Sequence, residues 1–90
     1  MTEKEFFERA DEHINLSNKQ MDNATGGEVS ASMMYSLARF NAWISARGFD
    51  NSKEMQSRKA DTVKYFVKEY QQMLEENMDD YISKFEDYMK

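Results

Sequence analysis

Apolar residues recur at helical spacing in three long segments, and no stretch shows the apolar–polar alternation typical of a strand. The chain has no proline and only three glycines, so Gly26, Gly27 and Gly48 are the expected breaks between segments. Ninety residues are too few to build two independent cores. We therefore predict one all-α, bundle-like domain over residues 1–90, with helices at about 3–22, 31–47 and 52–89.

The second and third predicted helices each begin at a candidate capping residue. Ser30 is the expected N-cap of the second helix, with Val29 and Met34 at the spacing of a hydrophobic staple. Gly48 follows the last turn of that helix and marks its end. Asn51 and Glu54 have the capping-box spacing and predict the start of the third helix.

The third segment is longer than the first two helices can cover. Unbroken, it would run for about 55 Å, against roughly 25–30 Å for each of the others. The uncovered end carries an apolar surface, our candidate for self-association: Tyr81, Ile82, Phe85, Tyr88 and Met89. Either the helix breaks near residues 77–79 and folds back as a fourth helix, or this surface packs on a second copy. The unbroken phase of the pattern favours a continuous helix and a homodimer.

Charge is divided unevenly along this segment. Residues 53–68 contain five basic and two acidic residues, whereas residues 69–90 contain two basic and seven acidic ones. This order opposes the helix dipole, which prefers acidic residues first. One hypothesis is antiparallel pairing of two copies, in which basic and acidic halves face each other. The alternative is a solvated surface without pairing.

Four polar residues lie on or beside the apolar arcs of the helices: Asn41, Asn77, Ser17 and His13. A buried amide without a hydrogen-bond partner costs about 1–3 kcal/mol, so such side chains need partners if they are inside. The structural interpretation is a polar network that fixes helix register or a dimer seam. The functional alternative is a small ligand pocket lined by the same residues.

Composition excludes several classes of function. The net charge is −5 and the pI is near 4.8, which disfavours a general binder of nucleic acid. A basic cluster on the third segment, at Lys53, Lys64 and Lys68, is interrupted by acidic residues. There is no cysteine, and the single histidine has no metal-ligating residue three or four positions away. We expect no catalytic residue, metal or cofactor.

The sequence shows no targeting or membrane segment. The first residues are charged and lack the apolar stretch of a secretory signal. The longest weakly polar stretch, residues 31–46, is too short to span a bilayer. A soluble, cytoplasmic protein without membrane contact is expected.

Three segments resemble a proteobacterial family of short helical proteins that is described only as a domain of unknown function. They are EFFERADEHINLSNKQ (5–20), VSASMMYSLARFNAW (29–43) and YFVKEYQQMLEENMDDYISKFEDYM (65–89). The resemblance covers nearly the whole chain and implies an all-α fold in the bacterial cytoplasm. It implies no activity, substrate or binding residue.

Two functional hypotheses remain from the sequence. The first is a non-enzymatic, self-associating interaction or accessory protein that also meets an unidentified protein partner. The second is a small-ligand-binding helical protein or minor enzyme that uses the polar cluster around Asn41, Asn77 and His13.

Overall fold

A computed structural model describes all residues 1–90, and every regular element in it is a helix. In chain order these are α1 (Glu3–Gln20), α2 (Gly26–Ala46), α3 (Ser52–Ser57), α4 (Lys59–Ser83) and α5 (Phe85–Met89). The predicted all-α class with a long C-terminal helix is confirmed. The predicted third helix is divided into three helices.

Helix α1 begins at a side-chain cap. The hydroxyl oxygen of Thr2 accepts a hydrogen bond of 3.1 Å from the backbone N–H of Glu5. Glu3 and Glu5 lie in the first turn, where negative charge interacts favourably with the positive end of the helix dipole. The helix ends at Gln20, two residues before the predicted end.

Helix α2 begins five residues earlier than predicted, because a capping box precedes it. The Thr25 hydroxyl accepts from the Glu28 N–H at 3.1 Å, and the Glu28 carboxylate accepts from the Thr25 N–H at 3.0 Å. Ser30 is therefore not the N-cap, and that prediction was wrong. Gly26 and Gly27 lie in the first helical turn with ordinary negative φ angles rather than in a loop.

Val29 is the one buried residue of the chain, with 5% of its surface exposed. It lies four residues after the Thr25 cap, and Ala24, the residue before the cap, is half-buried. These are the two positions of a hydrophobic staple. Val29 is therefore the helical residue of the staple, four residues after the cap. The sequence had predicted it one residue before the cap.

The end of α2 and the start of α3 lie close to where they were predicted. Helix α2 stops at Ala46, and the N–H of Gly48 donates to the Ser45 carbonyl at 3.0 Å. Asn51 is extended and accepts from the Glu54 N–H at 2.9 Å, which confirms it as an N-cap.

Two residues interrupt the segment that was predicted as one helix. Arg58 (φ −105°, ψ 2°) separates α3 from α4, and Lys84 (φ −118°, ψ 27°) separates α4 from α5. Between them α4 runs without a break for 25 residues, about 37 Å, and passes through residues 77–79. The alternative break near Asn77 is not found, and the interruption lies seven residues further on.

The chain forms two compact units, Met1–Ile44 and Ser45–Lys90. The first contains α1 and nearly all of α2. The second contains the last two residues of α2 and helices α3 to α5. None of its residues is fully buried. Its most covered apolar side chains, Phe49, Met55 and Phe66, are half-buried around the start of α4.

Candidate interaction surface

The terminal apolar surface predicted for self-association lies on both sides of the break at Lys84. Ile82 is in the last turn of α4, and Phe85 and Met89 are at the two ends of α5. Their side chains are 68%, 58% and 60% exposed. Three large apolar side chains in one short segment therefore remain largely in contact with water.

Tyr81 and Tyr88, the other two residues of this surface, contact each other. Their ring centroids are 4.5 Å apart with an interplanar angle of 31°. Aromatic pairs at this separation attract each other beyond simple area burial. The two tyrosines therefore tie α5 to the end of α4, in addition to contributing apolar surface.

Asp80 holds this tyrosine pair in place through two hydrogen-bonding partners. The Tyr88 hydroxyl donates to Oδ2 of Asp80 at 2.8 Å, and Nζ of Lys84 lies 3.2 Å from Oδ1. We call Asp80, Lys84 and Tyr88 the C-terminal clasp. Sequence reasoning missed it, although the acid and the lysine have the four-residue spacing of a helical ion pair.

The clasp shifts the pKa values of its three members. The hydroxyl of Tyr88, and then the ammonium of Lys84, hold the pKa of Asp80 below its ordinary value. Because they donate to the Asp80 carboxylate, Tyr88 and Lys84 have raised pKa values. Each shift favours the state found here: an ionised carboxylate, a protonated lysine and a neutral phenol.

Two of the four polar candidates, Ser17 and Asn77, form local side-chain bonds. The Ser17 hydroxyl donates to the backbone carbonyl of His13 at 2.9 Å, and the Asn77 amide donates to the carbonyl of Met73 at 2.7 Å. Both bonds join a side chain to its own helix four residues earlier. Asn41 is half-buried in the first unit, whereas Asn77 is exposed in the second.

An open depression of about 330 Å³ lies in the second unit, beside the start of α4. Phe49, Tyr65 and Phe66 form its apolar wall, and an ion pair of 4.0 Å between Arg58 and Asp61 lies on its rim. No motif in the sequence predicts this depression. Its only signal was the position of Phe49 directly after a helix end.

The helices form neither a metal-binding cluster nor a membrane span. No group of three His, Cys, Asp or Glu side chains is close enough to hold a metal ion. None of the helices combines the length and the apolar character required to cross a membrane.

The fold and the surface define a small all-α protein with a long C-terminal helix and an exposed apolar end. The chain belongs to the family described as protein of unknown function (DUF3144), whose model matches residues 6–82. The family resemblance inferred from the three helical segments is thus confirmed.

A solved relative has the same fold. The chain is similar to the NMR structure of the protein NB7890A from Shewanella sp., with 44% sequence identity and a TM-score of 0.80. The match covers 92% of this chain and 88% of that one. No curated protein matches the chain.

Proposed function

We propose that this protein is a self-associating interaction or accessory protein, and that a second copy covers its C-terminal apolar surface. The observation that carries the proposal is the exposure of Ile82, Phe85 and Met89 in a unit without a fully buried residue. Apolar side chains clustered on a surface gain free energy when another surface covers them.

The composition of the surface supports protein contact. It combines tyrosine, phenylalanine and methionine, the residue types enriched at the centres of protein interfaces. Full burial of one such side chain is worth about 1.5–3 kcal/mol, and in a symmetric dimer each contribution counts twice. The acidic charge and the lack of cysteine suit the cytoplasm, where we place the protein.

Sedimentation equilibrium tests the proposal directly. We expect the wild-type chain to be dimeric at tens of micromolar and the Ile82→Lys variant to be monomeric, because lysine places a charge in the covered surface. Gln72→Lys is the matched control. Gln72 is exposed, lies opposite Tyr81 on α4 by the helical period, and is about 15 Å before Ile82 along the axis. This variant is therefore expected to dimerise like the wild type.

A wild-type chain that stays monomeric and helical up to millimolar concentration would contradict the proposal. Equal weakening by both lysine variants would also contradict it, since net charge rather than this surface would then control association. Circular dichroism of each variant checks that the helices are retained.

A further inference from the structure

Along α4 six residues follow a coiled-coil spacing that alternates between four and three positions. We call them the α4 seam: Val63, Val67, Tyr70, Leu74, Asn77 and Tyr81. This spacing keeps one face of a helix toward a partner helix over its whole length. The seam ends at Tyr81, which also belongs to the C-terminal surface.

The seam has no cover within its own unit. Its five apolar and aromatic side chains are 44–59% exposed, and Asn77 is exposed as well. A helix with an apolar face of this kind is stable when that face packs against another element.

The seam is symmetric about Gln72. Val63 and Tyr81 are nine residues from it, Val67 and Asn77 five residues, and the innermost pair two residues. Two antiparallel copies centred on Gln72 would therefore bring every seam residue level with another seam residue. If the twofold axis were level with any other residue, at least one seam residue would have no seam residue level with it in the second copy.

The charges of α4 agree with this centre. Before Gln72, α4 carries three lysines and two acidic residues: Lys59, Lys64, Lys68, Asp61 and Glu69. Neither Lys64 nor Lys68 forms an ion pair within the chain. After Gln72, α4 carries only acidic charges.

We infer that the partner of the proposed self-association is a second copy paired antiparallel along α4, with its twofold axis at Gln72. This inference rests on the proposed function and adds the orientation and register of the pair. A parallel pair would place the two acidic halves of α4 side by side, whereas an antiparallel pair sets each acidic half against a half with a small net positive charge. Repulsion between the two acidic halves disfavours the parallel arrangement.

Distances between spin labels distinguish the two orientations. The chain has no cysteine, so Gln72→Cys and Asp79→Cys each give a single labelling site. The two positions are one heptad apart and face away from the seam. In the antiparallel pair the labels at residue 79 are separated by an additional ~21 Å along the axis. With about 20 Å across the pair, the distance is longer by about 9 Å at residue 79 than at residue 72.

Equal distances at the two sites in a dimer would overturn the antiparallel orientation and leave self-association standing. A monomer in both labelled samples and in the unlabelled wild type would overturn self-association itself, and the orientation with it. The two failures are therefore distinguishable in one set of samples.

The same two labels test the register. With the twofold axis level with residue 72, the label distance is shortest at residue 72, whereas an axis shifted to residue 79 would make the residue-79 distance the shorter one. A residue-79 distance shorter than the residue-72 distance would overturn the register.

Discussion

The phenol of Tyr88 donates a hydrogen bond to the carboxylate of Asp80 across the residue at which α4 ends. In an uninterrupted helix, residues eight apart are separated by about 12 Å along the axis. The departure of Lys84 from α-helical geometry accompanies this contact and the stacking of Tyr88 on Tyr81. The last five helical residues are thus held by side chains.

Removal of the Tyr88 hydroxyl is expected to release Asp80. In Tyr88→Phe the ring remains for stacking but the donor is lost, so the pKa of Asp80 is expected to rise toward its ordinary value. A carboxyl ¹³C titration by NMR measures it. Tyr70→Phe, which removes a hydroxyl outside the clasp, is the control and is expected to leave this pKa unchanged. The same pKa in both variants would mean that Tyr88 is not the cause.

The clasp is expected to fail at both extremes of pH. The pKa of Asp80 is lowered, so its contribution is present above the ordinary carboxyl pKa of about 4 and is lost as pH falls through the lower value. The pKa values of Tyr88 and Lys84 are raised. Their contributions are present below the ordinary values near pH 10 and are lost as pH rises through the raised ones.

Tyrosine absorbance provides the measurement for the alkaline limb. The chain has five tyrosines, and the raised pKa of Tyr88 is expected to extend its ionisation above the ordinary tyrosine range. This high-pH component is expected to disappear in the Tyr88→Phe variant. A variant that keeps the component would show that Tyr88 is not its source.

Thr25→Ala is expected to destabilise the chain by about 1 kcal/mol, the usual cost of removing a threonine N-cap. Ser30→Ala, at the residue that the sequence favoured as the cap, is expected to change the free energy of unfolding far less. Urea denaturation of both variants measures the difference. A larger effect at Ser30 than at Thr25 would move the start of α2 back to the position predicted from sequence.

Asn77→Leu is expected to strengthen the dimer, because it replaces the one polar residue of the α4 seam by an apolar one. A lone asparagine in a coiled-coil seam lowers stability while fixing register and the number of chains. We therefore expect tighter association together with species larger than a dimer in sedimentation velocity. Weaker association in this variant would indicate that Asn77 donates or accepts across the interface.

Local signals in the sequence determined some helix ends and misplaced others. Asn51 was identified by its capping-box spacing to Glu54, and in the structure its side chain accepts the expected hydrogen bond from the Glu54 N–H. The start of α2 was missed because Gly26 and Gly27 were read as a loop. A glycine costs only about 1 kcal/mol in a helix, and the Thr25 capping box offsets that cost.

The break at Lys84 could not be predicted in the same way. Lysine is a good helix former, and no glycine or proline is near it. The break accompanies side-chain contacts between residues seven and eight positions apart, which a helical wheel does not represent. The periodic pattern of the sequence also predicts the apolar face of α4, but it does not identify the element that packs against that face.

The glycine pair at the start of α2 has a consequence for engineering. Both residues have φ angles that any amino acid adopts, and a Cβ atom added at either would have its nearest neighbour at 4.0 Å. Their replacement by alanine would restrict the unfolded chain without straining the folded one, a gain of about 0.4–1 kcal/mol for each site. The turn between the first two helices is therefore a site at which substitution can raise the free energy of unfolding.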